Sequence, residues 1–202
     1  MFIKGVLFDK ILNIKFSISE LIMNKKTLFS ILIGISLLLT FLVFIASQKS
    51  TLIVVEHTFD ASAEKVWQLW NDPEAMKKWW SPKSYTAPVI KNDLRVDGVF
   101  LLSMQAPDGK ISWNTGKYIE IIPLKKIVSM MSFSDENGNV VPASTYGVPG
   151  KWPDEIKVTV EFIESNGKTQ VKIKEEGIPL IMSLFAKLGW QQQFDKFEEL
   201  LK

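Results

Sequence analysis

The chain contains no cysteine, and among its 202 residues it has one histidine and a single arginine, Arg95. The missing thiols exclude disulfides, thiolate nucleophiles, zinc-thiolate sites and lipid-modified cysteine, and they leave no redox address. With His57 as the sole imidazole, a multi-histidine metal site is excluded. The basic and acidic residues nearly balance, 24 against 22, for a net charge of +2. A nucleic-acid reader carries a basic stripe and arginine forks, and this chain has neither. No G-x-S-x-G, S-x-x-K or glycine-rich phosphate loop occurs, so no nucleophile elbow and no nucleotide or other cofactor is expected.

What the chain does have is one long apolar run and seven tryptophans. "TLFSILIGISLLLTFLVFIAS", residues 27–47, carries no charge. As a helix it measures about 30 Å, the thickness of a bilayer's hydrocarbon core. It is apolar all round and too long for a typical signal-peptide core, and no small-x-small site follows it. The expectation is a retained transmembrane signal anchor. Lys4, Lys10, Lys15, Lys25 and Lys26 precede it, which places residues 1–26 in the cytoplasm and 51–202 outside it. "MNKKTLFS" makes Met23 an alternative start, which would remove three of those lysines. The segment before it mixes apolar residues and lysines at roughly helical spacing.

From residue 51 the patterns change. "TLIVVEHTF" alternates as a strand with Ile53, Val55, His57 and Phe59 on one face. Asp60 and Ser62 are candidate caps for a helix bearing Val66, Trp67 and Trp70, and Pro73 opens a second short helix through Met76, Trp79 and Trp80. Strands follow between turn signals: "GVFLLSMQA", "SWNTGKYIEIIP", "KKIVSMMSFSD", "EIKVTVEFIE" and "TQVKIKEE", the last with Val171 and Ile173 inward. The loop "VVPASTYGVPGKWPD" has no period. A helix from about Pro179 to Leu201 closes the chain. Ile181, Leu184, Phe185 and Leu188 form its early apolar face, and Trp190, Phe194, Phe197 and Leu201 continue it. Gly189 sits inside that pattern and predicts a kink or a close backbone approach.

Adjacent tryptophans at the end of a helix point about 100° apart, so Trp79 and Trp80 cannot share one core slot while both stay helical. Trp80 is expected inward and Trp79 at a rim. The acidic pairs Asp154–Glu155, Glu175–Glu176 and Glu198–Glu199 read as solvated charges, because neighbours on a strand or helix diverge.

Four stretches together resemble the START-like, helix-grip (SRPBCC) superfamily, in the branch named for the C-terminal domain of the activator of the 90-kDa heat-shock ATPase. They are "FDASAEKVWQLWNDPEAMKKWWSP", "TGKYIEIIPLKKIV", "YGVPGKWPDEIKVTVEFIE" and "GIPLIMSLFAKLGWQQQFDKFEELL". The resemblance covers 51–202 and implies an α+β fold: a curved antiparallel sheet of about six or seven strands wrapped around a long C-terminal helix. It implies a hydrophobic cavity between the two. Members bind lipids, hormones or polyketides, and some catalyse cyclisation or hydrolysis. The membrane span departs from the usual member.

On that basis the chain reads as a membrane-anchored, non-catalytic binding module for a small hydrophobic or amphipathic ligand. His57, Trp80, Met104, Trp113, Met131, Phe133, Tyr146, Trp152, Trp190 and Phe194 are the candidate ligand-binding residues. Met130 and Met182 lie on the same elements. Ser103, Ser132, Tyr146 and Lys117 are candidate polar groups. The alternatives are a cyclase or hydrolase with His57 as its base, and a chaperone-cofactor-like protein presenting Trp79 or Trp152 to a partner.

Overall fold

A computed structural model describes residues 25–202. Residues 1–24, with the Met23 start, the segment before it and three of the five preceding lysines (Lys4, Lys10 and Lys15), lie outside the described residues. Helix α1, Lys25–Gln48, has 24 residues and no buried one. It is long and apolar enough to cross a membrane, a property it shares with signal sequences. The helix up to Phe44 and the segment Ile45–Lys202 are separate compact units.

The second unit is one seven-stranded antiparallel sheet. Its strands are β1 (Ser50–Phe59), β2 (Ile90–Asn92), β3 (Val99–Gln105), β4 (Ile111–Ile122), β5 (Lys126–Ser134), β6 (Ile156–Ser165) and β7 (Lys168–Pro179). The order β1-β7-β6-β5-β4-β3-β2 makes β2 to β7 a meander of neighbours and sets β1 on the far edge against β7. Edge strand β2 is too short for period two to show in the sequence.

Two helices connect β1 to β2. In α2, Ala63–Asn71, the Ser62 side chain caps the first turn by accepting from Lys65 N–H. In α3, Pro73–Trp79, the Asp72 carboxylate accepts from Ala75 N–H and Pro73 occupies the first turn, where no donor is needed. The last helix is α4, Ser183–Glu199, after a short 3-10 turn over Leu180–Met182.

The sheet has a wet face and a core face. On the wet face, cross-strand pairs alternate in sign: Lys174–Glu161 at 3.1 Å, Lys157–Glu176 at 3.2 Å and Lys172–Glu56 at 3.7 Å. On the other, Ile53, Phe100, Leu102, Ile127, Val158, Val160, Phe162, Val171 and Ile173 are buried against the helices. This curved sheet packed on a C-terminal helix is the helix-grip arrangement expected above.

The first turns of α4 differ from expectation. Leu184 and Phe185 are 63% and 64% exposed, and Leu188 is also exposed. Only the later part of the stripe, Trp190, Phe194 and Phe197, is buried. Phe185, Ala186 and Gly189 border an open cleft instead of seating on strands. Helix α4 runs through Gly189 without interruption, and no neighbouring element's backbone crowds it: a Cβ there meets only Pro82 Cγ, at 3.9 Å.

Candidate functional site

Both tryptophans of the Trp79–Trp80 pair are inside, at 1% and 8% exposure, so neither forms an exposed rim. Trp79 is the last residue of α3, and its indole N–H donates to Leu69 O at 3.1 Å. Trp80 has already left helical geometry, with φ −71° and ψ 87°. That change of backbone removes the 100° divergence and turns the second ring back under the helices, edge-on to Trp79 with 5.7 Å between centroids. The loop after Trp80 is tied to α4: Lys196 Nζ donates to Ser81 Oγ at 2.8 Å, Ser81 O at 3.2 Å and Tyr85 O at 3.3 Å. Gln192 Oε1 accepts from Lys83 N–H at 3.0 Å.

Four indoles, three from the helices and Trp80 from the residue after α3, thus converge. Trp70 lies 4.5 Å from Trp79 and 6.3 Å from Trp190, and Trp190 meets Trp80 edge to face at 5.6 Å. Between them and the sheet is a chamber of 60 Å³, whose strand side is formed by Phe100, Leu102, Tyr118, Ile127 and Val160. A cleft of 270 Å³ adjoins it, bordered by Met104, Phe133, Trp152, Met182 and Phe185. Trp80, Met131, Glu175 and Trp190 line both spaces and mark where they meet.

The polar groups of this cavity are few. Glu175 is 5% exposed and faces both spaces. Burial pushes its carboxyl up to about 7, and a hydrogen bond from the Trp190 side chain offsets only part of that. Asn114 and Gln193 line the cleft. Two buried atoms on the lining residues have no hydrogen-bond partner: Trp80 Nε1, a donor, and Gln193 Oε1, an acceptor. Tyr118 is the other titratable group in the chamber. Its hydroxyl donates to Asn92 Oδ1 at 2.6 Å, and burial first, then Asp93, holds its phenol well above the usual range.

Of the ten candidate ligand-binding residues, Trp80, Met104, Met131, Phe133, Trp152 and Trp190 line this cavity. His57, Trp113, Tyr146 and Phe194 do not. His57 packs between Phe59 and Phe194, with centroids at 4.6 and 5.5 Å. Its Nε2 stands 3.6 Å from Glu198 Oε2, too long for a hydrogen bond, so the atom counts as unpartnered although an ion pair is in reach. Trp113 pairs with Ser103 and Ser134, on the opposite face from Phe100, Leu102 and Met104. The Tyr146 hydroxyl donates to Ser134 O at the sheet end.

The candidate polar groups lie outside the cavity. Ser103 and Ser132 are buried on the far face, bonded to Val89 and Asp154, and Lys117 pairs with Asp97 at 2.7 Å. Glu175, read from sequence as a solvated charge, is the buried acid of the site. The signal for it was present: Val171 and Ile173 point inward, and period two continues to 175. Its neighbour Glu176 does face solvent and Lys157. Gly177, at φ +105°, is the extra residue of a β-bulge between the pairs Leu52–Glu176 and Thr51–Ile178. Directly after Glu175–Glu176, the bulge resets parity so that Ile178 returns to the core.

Residues 60–202 match the family of activator of Hsp90 ATPase homolog 1-like proteins. The chain belongs to this family. Its fold recurs in protein CV1439 from Chromobacterium violaceum, with TM-score 0.62 and 25% identity over 74% of this chain and 95% of that one. Protein Ms6760 from Mycobacterium smegmatis matches with TM-score 0.63 and 19% identity, covering 77% and 96% of the two chains. The AHSA1 protein of Silicibacter pomeroyi matches at 0.60 and 18%, covering 75% and 97%. The latter two speak for the fold alone. No curated protein matches the chain.

Proposed function

We propose that this protein is a membrane-anchored binding module that holds a small, largely apolar ligand between the sheet and α4. The observation that carries this reading is the paired chamber and cleft, walled by tryptophan, methionine and phenylalanine and furnished with few polar groups. That is the composition of a ligand site. The cleft's 270 Å³ lies just below the ~300–1,000 Å³ usual for such sites, which favours a compact ligand over a two-chain lipid. The apolar helix α1 supplies the anchor, and apolar ligands concentrate in the bilayer beside it.

A cyclase or hydrolase is less well supported. His57 lies outside the cavity, and Glu175 and Tyr118 are its only titratable groups. The Tyr118 hydroxyl is donated to Asn92 Oδ1 and its phenol is held well above its usual range, which makes it a weak acid to set beside Glu175. A surface for a protein partner loses Trp79 to the core, and Trp152 borders the cleft with its indole N–H donated to Pro149 O at 3.0 Å.

Native mass spectrometry of the full chain from its own host, with organic extraction, tests the binding reading. A stoichiometric small molecule is expected to co-purify and to be lost when Met131→Trp fills the junction of chamber and cleft. A molecule retained equally by that variant overturns the assignment. Reporter fusions at the C-terminus test the topology: alkaline phosphatase activity is expected, and fluorescence of a cytoplasm-dependent reporter would refute the extracytoplasmic placement.

A further inference from the structure

Glu175 sits where chamber and cleft meet, and no lysine, arginine or histidine lines either space. From the strands beside it, Ile53 of β1 and Val158 of β6 are the residues in register, and both are apolar. From α4, Trp190 and Gln193 are neutral, and from β4 comes Tyr118. The nearby cations are used elsewhere: Lys174 pairs with Glu161, Lys157 with Glu176, and Lys196 with the Ser81–Tyr85 loop. An acid buried without a counter-charge is costly to the fold, and it persists where something outside the protein completes it. The rest of the wall is aromatic. Trp70, Trp79, Trp80 and Trp190 line the chamber around this acid. Indole faces attract cations within about 6 Å of the ring, most strongly where water is excluded.

Resting on the binding function proposed above, we infer that the ligand is an organic cation, an amine or quaternary ammonium group on a compact aryl or alkyl body. The charged head meets Glu175 among the indoles, and the body lies in the cleft against Met104, Met131, Phe133 and Trp152. The 60 Å³ chamber suits a head group and the 270 Å³ cleft suits a body. A hydroxyl or carbonyl on the body can accept from Trp80 Nε1, and a ligand donor can serve Gln193 Oε1, the two atoms the protein leaves unpartnered. A carboxylate ligand is disfavoured, because it would place like charges together in a dry site.

Calorimetric titration of the full chain in neutral maltoside micelles tests this with four soluble probes of one shape: 2-phenylethylamine, its N-trimethyl derivative, 2-phenylethanol and 3-phenylpropanoate. Both cations are expected to bind at least tenfold more tightly than the alcohol at pH 8. Their affinity should fall about tenfold on going to pH 6, as Glu175 takes up a proton and the amine stays charged. Glu175→Gln should abolish the cation preference while leaving alcohol binding intact, which shows that the cavity has survived. Equal or tighter binding of the alcohol or the carboxylate, or an unchanged preference in Glu175→Gln, overturns the cation inference and leaves the cavity reading standing. Failure of all four probes to bind overturns both.

Discussion

Removing the charge at position 175 should make the empty protein more stable, and only above mildly acidic pH. The Glu175 carboxyl titrates near 4.5 when free and near 7 in the fold. Below pH 4.5 it is protonated in both states and has no effect. As pH rises from 4.5 to 7 the unfolded chain releases its proton first, and each unit favours unfolding by about 1.4 kcal/mol. Above pH 7 the penalty is constant at about 3 kcal/mol. Glu175→Gln keeps an oxygen for the Trp190 indole and cannot ionise. Urea unfolding followed by tryptophan fluorescence reads the difference, since all seven tryptophans lie after residue 60. The variant should match the wild type near pH 4 and exceed it by about 3 kcal/mol at pH 8. Subtracting one from the other cancels every titration they share. Parallel stability profiles from pH 4 to 8, or a variant weaker than wild type at pH 8, would refute the assignment of Glu175 as a buried, uncompensated acid.

Two glycines give predictions of opposite sign. Gly189→Ala places a methyl group 3.9 Å from Pro82 Cγ in an otherwise open position, so the gain in helix propensity of about 1 kcal/mol should appear as a rise in thermal midpoint of roughly 2–4 °C. A fall would show that the cleft wall tolerates no added atom. Gly116→Ala puts its Cβ 2.3 Å from both Met130 O and the Phe100 ring. It should cost about 3 kcal/mol in urea unfolding, at the upper end of overpacking penalties, and a neutral result would mean that β4 and β5 slide apart freely.

The architecture was readable because the periods were clean. Val158, Val160 and Phe162 on β6 and Val171 and Ile173 on β7 alternate against charges, and Ser62 and Pro73 mark helix starts with their own chemistry. The site was less readable because its determinants break the correlation between polarity and exposure. Glu175 obeys its strand's period and violates its hydrophobicity, so two rules disagreed and residue type misled. On β4 the inward residues are Asn114, Gly116 and Tyr118, while the larger Trp113 lies on the other face. The early apolar residues of α4 looked like core because amphipathic spacing cannot tell a helix face over a sheet from one over a cleft. The side-by-side tryptophans needed a backbone angle at Trp80 that no spacing rule supplies.

The edge-to-edge order of the sheet also sets a timetable. Residue 50 pairs with residue 179, and among the described residues β1 has no partner but β7. Every other strand pairs with a neighbour in sequence and can form as it is made. The first strand must wait until β7 has been made, several seconds at the ~5–20 residues per second of synthesis. Until then the indoles of α2 and α3 have no α4 to close over them. The domain therefore completes itself only after its C-terminal helix is free, and a chain released short of that helix carries an unpaired leading strand and an open aromatic face.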